Sequence, residues 1–123
     1  GCGRLFEGTA QQMLTSLDQL ADLPGNTQVC AAHEYTLSNL KFALAVEPQN
    51  ADLIEYQAHC QTLRAAGQPT LPSSIAVERA INPFLRARED AVARTVQAHA
   101  GLSSTASTPV AVFAAMREWK NQF

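Results

Sequence analysis

Prolines and glycines divide this chain into short segments, and most of the segments repeat apolar residues at the spacing of a helix. Thr9 is a predicted N-cap, and Gln12, three residues later, completes a capping box. A sequence of LPGN at residues 23–26 then ends this first helix. Its apolar residues share one helical face, and they are Met13, Leu14, Leu17, Leu20 and Ala21. Frequent helix breaks of this kind favour a fold of short packed helices.

The remaining segments predict a mainly α chain with one short strand. Residues 27–32 are apolar and few, which is typical of a buried strand. Residues after Tyr35 are predicted to be almost wholly helical, with loops at residues 67–74 and 101–107. Further helices are predicted from Thr36 or Ser38 to Val46, from a cap at Asn50 to near Gly67, from the loop to Arg79, from about Phe84 to Ala100, and after Thr108 and Pro109.

Length and composition limit the classes of function. The chain has 123 residues, 46% of them hydrophobic and 16% charged, which is a globular profile large enough for one modest domain. A net charge of −2 gives no reason to expect nucleic acid or an anionic membrane as a partner. No apolar run approaches the ~18 residues that span a bilayer. The three cysteines form no CxxC pair, so we expect reduced thiols and a cytoplasmic protein.

His33 directly follows the predicted strand, a position where α/β proteins often place functional groups. A neutral imidazole there could bind a metal ion. Zinc needs three or four protein ligands, however, and no other residue of this chain stands at ligand spacing. Local features alone therefore favour a structural, hydrogen-bonded histidine.

Two further groups of residues have both a functional and a structural interpretation. Arg117 and Lys120 are three residues apart on the last predicted helix, where they could hold a carboxylate or simply complement the helix dipole. Arg4 and Phe6 lie in the glycine-rich opening, whose backbone could approach a ligand closely or form a tight turn.

One alternative is a stand-alone interaction module. Residues 43–51 resemble the helix junction of a tetratricopeptide repeat. Such arrays need about three copies of a ~34-residue unit, and no second copy is present in this sequence.

Four segments, in order along the chain, carry longer motifs. They are GCGRLFEGTAQQM at residues 1–13, CAAHEYTLSNLKFALAVEPQN at 30–50, LPSSIAVERAINPFLR at 71–86 and MREWKNQF at 116–123. These segments resemble glyoxalase II, the hydroxyacylglutathione hydrolases of the metallo-β-lactamase superfamily, whose motifs read GCGRxFEGT, CGHEYTxxNLxFAxxVEPxN, PSTxxxExxxNPFLR and RxxKDxF. The resemblance implies that this chain is the C-terminal part of such an enzyme.

The resemblance also implies a domain division and an activity. Residues 1–35 would be the helix–strand tail of the metallo-β-lactamase-like αββα domain, and residues 36–123 the helical substrate-binding domain. The whole enzyme would hydrolyse S-D-lactoylglutathione to glutathione and D-lactate by a two-metal mechanism, with zinc, iron or manganese as the metals. The family's THxHxDH metal loop, a further ligand histidine and a bridging aspartate would lie in a missing N-terminal half. We therefore expect no catalytic residue, no bound metal and no activity in this chain alone.

The site residues that the resemblance implies divide by role. His33 would be a metal ligand, and the residues that contact the glutathione thioester would be Arg4, Phe6, Tyr35, Arg117 and Lys120.

The sequence departs from the family pattern at several positions. Ala32 replaces the usual glycine before the histidine, Ala31 the usual cysteine and Cys30 a usual tyrosine. Asn121 replaces an aspartate near the C-terminus. Phe6 stands where many members have tyrosine, so a hydroxyl contact to glutathione would be absent.

Overall fold

Helices dominate the computed structural model, which describes residues 1–106 and 108–123. The prediction of a mainly α chain is confirmed. The helices are α1 (Ala10–Ala21), α2 (Thr36–Val46), α3 (Ala51–Ala65), α4 (Ile75–Ile81), α5 (Asp90–Ala100) and α6 (Pro109–Gln122), with single 3-10 turns at Pro83–Leu85 and Ser104–Ala106. The strands are β1 (Gln28–Val29) and β2 (Ser73–Ser74).

Polar side chains begin the helices at the residues that the sequence predicts. The Thr9 hydroxyl accepts a hydrogen bond from the Gln12 backbone N–H at 3.2 Å, and the Gln12 side chain accepts one from the Thr9 N–H at 2.9 Å. Asn50 caps α3 and Thr108 caps α6, each through its side-chain oxygen. These caps satisfy backbone donors that a helix end would otherwise leave unpaired.

The helix predicted from about Phe84 to Ala100 is wrong over its first residues, because α5 begins only at Asp90. Asn82 accepts a hydrogen bond from the Phe84 N–H at 3.0 Å and starts a 3-10 turn with Pro83 instead. Phe84 is 1% exposed. The apolar pattern of this segment therefore reflects core packing in a turn and not a helical face.

The predicted strand is shorter than expected, and it gains a partner from the region predicted to hold no strand. Gln28 pairs with Ser74 and Val29 with Ser73, in an antiparallel ladder. Gln28 is exposed and Val29 half-buried, so the prediction of a buried strand is wrong. Ser74 is extended because it is also the N-cap of α4, and this conformation suits both roles.

Two apolar cores share α2. The first core joins α1, α2, α5, α6 and the 3-10 turn, through Leu14, Phe42, Val46, Phe84, Ala87, Val92, Val96, Val112, Phe113 and Met116. The second joins α2, α3 and α4, through Leu40, Ala43, Leu53, Cys60 and Ile81. Leu14 therefore packs in a core with helices from beyond residue 35, and the domain division at that residue stays a prediction.

The last connection runs from α5 to α6. Gly101 ends α5 with a φ of +68°, a left-handed conformation that glycine adopts without strain. The loop predicted at residues 101–107 contains the short 3-10 turn, and Ser107 lies outside the described residues. None of the helices that the structure describes is long and apolar enough to cross a membrane.

Candidate functional site

A cavity of about 500 Å³ opens between the glycine-rich N-terminal segment, α1, α2 and α4. His33, Tyr35 and Lys120 all line it, so three of the predicted site residues lie around one space. Cys2 and Gly3 form another part of its wall.

The other predicted site residues do not line this cavity. Arg4 and Phe6 lie one and three residues after Gly3 and are exposed, with Phe6 84% accessible to solvent. Arg117 is only 7% exposed and is absent from the lining. The glycine-rich segment therefore carries two exposed side chains next to the cavity, whereas Arg117 is buried in the helical core.

His33 presents an exposed imidazole. Its ring stacks parallel on that of Tyr35, with 4.9 Å between the ring centroids and an angle of 6° between the planes. Neither imidazole nitrogen has a hydrogen-bond partner in residues 1–106 and 108–123, so both are available to a ligand. No group of three potential metal ligands exists among these residues. The described residues therefore hold no complete metal site.

Glu34 lies between these two rings in the sequence, and Thr70 engages its carboxylate. One carboxylate oxygen accepts from the Thr70 backbone N–H at 2.5 Å and the other from the Thr70 hydroxyl at 2.6 Å. The hydroxyl oxygens of Thr70 and Thr36 are 2.6 Å apart. Hydrogen bonds from the Thr70 side chain and backbone lower the pKa of Glu34, because they stabilise the ionised carboxylate.

Arg117 ties α6 to the glycine-rich segment. One terminal guanidinium nitrogen donates to the Gly3 carbonyl and lies 3.4 Å from the Cys2 sulfur. The other donates to the Asn121 side chain at 3.1 Å. The guanidinium carbon is 4.9 Å from the centre of the Phe84 ring, a cation–π distance. Both ends of the guanidinium fork are therefore used within the fold.

Lys120 is the cation that reaches the cavity. Its ammonium lies over the Phe42 ring at 5.6 Å from the ring centre, and no carboxylate of the described residues forms an ion pair with it. Loss of hydration lowers the pKa of Lys120, and the nearby charges of Arg117 and Arg4 lower it further. A bound anion would offset both effects.

A comparison with protein families identifies the family of this chain. Residues 34–123 match the family model described as "Hydroxyacylglutathione hydrolase C-terminus". The chain belongs to the hydroxyacylglutathione hydrolase family. The resemblance to this family that the sequence motifs carry is thus confirmed.

Individual hydroxyacylglutathione hydrolases match the chain over all of its 123 residues. The protein of that name from Albidiferax ferrireducens is 60% identical, and the match covers 47% of its length. Those from Cupriavidus taiwanensis and Nitrosomonas europaea are 58% and 53% identical, with 45% and 46% of their lengths covered. The chain therefore spans about half the length of the relatives it matches.

The family motif at residues 30–50 contains Glu34 but gives it no role, and Thr70 lies outside the four motifs. The two residues are 36 positions apart, and neither has a local pattern that points to the other. The apolar wall that Leu17, Leu20 and Leu23 add to the cavity also went unassigned, because the spacing of these leucines fits a helical core face equally well.

Proposed function

We propose that this chain forms the substrate-binding part of a longer, metal-dependent hydroxyacylglutathione hydrolase. The whole protein would hydrolyse S-D-lactoylglutathione to glutathione and D-lactate. The observation that carries this proposal is one cavity lined by an exposed imidazole, an exposed aromatic ring and an unpaired ammonium, in a member of this family.

The ligand's chemistry matches the groups around the cavity. Glutathione has two carboxylates, and Lys120 offers an ammonium that no described carboxylate neutralises. Tyr35, 62% exposed, and Phe6 would flank the thioester arm, while Arg4 would supply a second cation from the glycine-rich segment. Contacts of this kind hold the part of the substrate that does not react and so orient the part that does.

Arg117 has a supporting role in this proposal. Its guanidinium holds the Gly3 carbonyl, and Gly3 precedes the segment that carries Arg4 and Phe6. Arg117 would therefore act on substrate binding through the backbone of this segment.

His33 would supply one ligand to the metals of the longer protein. The other ligands would come from residues outside this chain, since the described residues hold no cluster of three. The chemistry that such metals supply, when bound, is activation of water near neutral pH and stabilisation of negative charge on the thioester oxygen. The stack on Tyr35 would fix the plane of the imidazole and place its ring at the cavity.

The test compares the longer protein with this chain alone. We expect the longer protein to hydrolyse S-D-lactoylglutathione and to retain metal, and its His33→Ala variant to lose both. The 123-residue chain should bind no zinc tightly, by elemental analysis, because one imidazole does not chelate. Hydrolysis by the chain alone, or a His33→Ala variant with wild-type metal content and rate, would refute the proposed role.

The tetratricopeptide-like alternative has less support. Residues 43–51 do join α2 to α3, as a helix junction would, but this segment lies within the family match at residues 34–123.

A further inference from the structure

The segment that carries His33 and Tyr35 has few attachments to the rest of the fold. Residues 31–35 are all exposed. In the part of the chain that the structure describes, the backbone of residues 31–33 forms no hydrogen bond to another segment, and its one bond is local, from the Tyr35 N–H to the His33 carbonyl. The Tyr35 carbonyl accepts from the Asn39 N–H of α2 at 2.9 Å, but neither burial nor a sheet ladder fixes residues 31–34.

Glu34 supplies the missing attachment. Its two carboxylate oxygens accept hydrogen bonds from the backbone N–H and from the hydroxyl of Thr70, which is 36 residues further along the chain. Thr70 itself is 6% exposed, so this contact joins an exposed segment to a buried residue. Two bonds to one residue fix both the position and the orientation of the carboxylate.

The Thr36 hydroxyl joins α2 to the contact between Glu34 and Thr70. Thr70 donates its one hydroxyl proton to Glu34, and the hydroxyl oxygen of Thr36 lies 2.6 Å from that of Thr70, within hydrogen-bond distance. Thr36 is the first residue of α2. The hydrogen-bonded cluster therefore connects α2 and Thr70 to the carboxylate, and it closes a loop around Tyr35.

We propose that Glu34 is a positioning residue, which with Thr70 and Thr36 forms a clamp that holds the His33 imidazole and the Tyr35 ring at the cavity. The inference rests on the proposed function, because it assigns the clamp to the glutathione and metal site. In this proposal Glu34 contacts neither the substrate nor the reacting atoms. It acts through the backbone of the residues on either side of it.

The experiment uses the longer protein and S-methylglutathione, a thioether that hydrolysis cannot consume. Glu34→Gln keeps one acceptor oxygen, Thr70→Val removes only the hydroxyl, and Thr70→Ser restores it. Glu55→Gln is the matched control, because Glu55 is exposed on α3 and has no hydrogen bond to Thr70. Calorimetric titration gives Kd for the thioether, and metal loss to a chelator gives a second readout that does not depend on turnover.

We expect Glu34→Gln and Thr70→Val each to raise Kd about tenfold, as loss of one charge-assisted hydrogen bond would do. Both should also speed metal loss, while Thr70→Ser and Glu55→Gln stay at wild-type values. Should Glu34→Gln fail to fold, the Thr70 pair carries the same comparison.

If Glu34→Gln and Thr70→Val have the same Kd and the same rate of metal loss as Glu55→Gln, the clamp is refuted, whatever the thermal stability of these variants. Failure of the proposed function itself gives a different result, in which the wild-type protein does not bind the thioether.

Discussion

Replacing Arg117 with alanine should destabilise the fold as well as weaken substrate binding. The change removes hydrogen bonds to the Gly3 carbonyl and the Asn121 side chain, together with a cation–π contact on Phe84. Hydrogen bonds from a charged donor contribute about 1.5–3 kcal/mol, and a desolvated cation–π contact about 1–2 kcal/mol. Removal also relieves the burial of the Arg117 Nε, which has no partner among the described residues. The contacts together amount to about 4–8 kcal/mol, but the freed Gly3 carbonyl and Asn121 side chain are exposed and regain water, so the net loss should be about half of that, or about 2–4 kcal/mol.

Urea unfolding of the 123-residue chain, followed by the circular dichroism of its helices, measures this loss. With a slope of about 2 kcal/mol per molar urea, the midpoint should fall by about 1–2 M. Arg94→Ala is the matched control, because Arg94 is exposed and donates only to the Asp90 carbonyl of its own helix. Arg117→Lys should not restore the midpoint, since an ammonium lacks the planar fork that spans Gly3 and Asn121.

Kinetics of the longer protein separate the two cations. Lys120→Ala should raise KM for the thioester about tenfold, as loss of one charge-assisted contact predicts, with little change in kcat. It should change the urea midpoint little, because Lys120 is only half-buried and has no ion pair within the described residues. A wild-type urea midpoint for Arg117→Ala, combined with a raised KM, would show that Arg117 contacts the substrate directly and would refute this reasoning.

Further predictions concern Lys120, Leu53 and Thr9. KM for the thioester should rise as pH increases toward the lowered pKa of Lys120, because the ammonium loses its charge; Lys120→Arg, measured over the same pH range, should flatten this rise. Stability should change in the opposite direction: the unfolded chain binds the Lys120 proton more tightly than the folded one, so the free energy of unfolding should rise as pH increases from the folded to the unfolded pKa of Lys120, as urea midpoints across that pH window would show. Leu53→Ala should cost about 2–5 kcal/mol by urea unfolding, since Leu53 is fully buried in the second core, whereas Ile54→Ala, at an exposed position beside it, should cost much less. Thr9→Ala should cost about 1 kcal/mol by losing the capping box of α1, and an unchanged midpoint would mean that this helix end is already frayed.

The sequence predicts the features whose causes are local. Thr9, Asn50 and Thr108 start their helices at the expected residues because a cap needs only its own side chain and the backbone of the next turn. The helix predicted from Phe84 is wrong at its start, because the apolar residues there are spaced by the shape of the core and not by a helical period.

The site is predicted less completely for the same physical reason. The family motifs point to His33, Tyr35 and Lys120, which the structure brings to one cavity. The burial of Arg117 depends on how α6 packs against the N-terminal segment, and the bond between Glu34 and Thr70 depends on two loops meeting. Neither contact leaves a pattern in the sequence that spacing could reveal.

The two apolar cores share α2, and this helix begins at the residue after Tyr35. Leu40 and Ala43 belong to one core, and Phe42 and Val46 to the other. Neither half of the fold can then melt without exposing a face of α2, so the chain should unfold as one cooperative unit, and the amide protons of α2 should be among the slowest to exchange with solvent. The first turn of this helix also carries Thr36, so a substitution in either core that shifts α2 would also shift the residues that Thr36 and Thr70 hold.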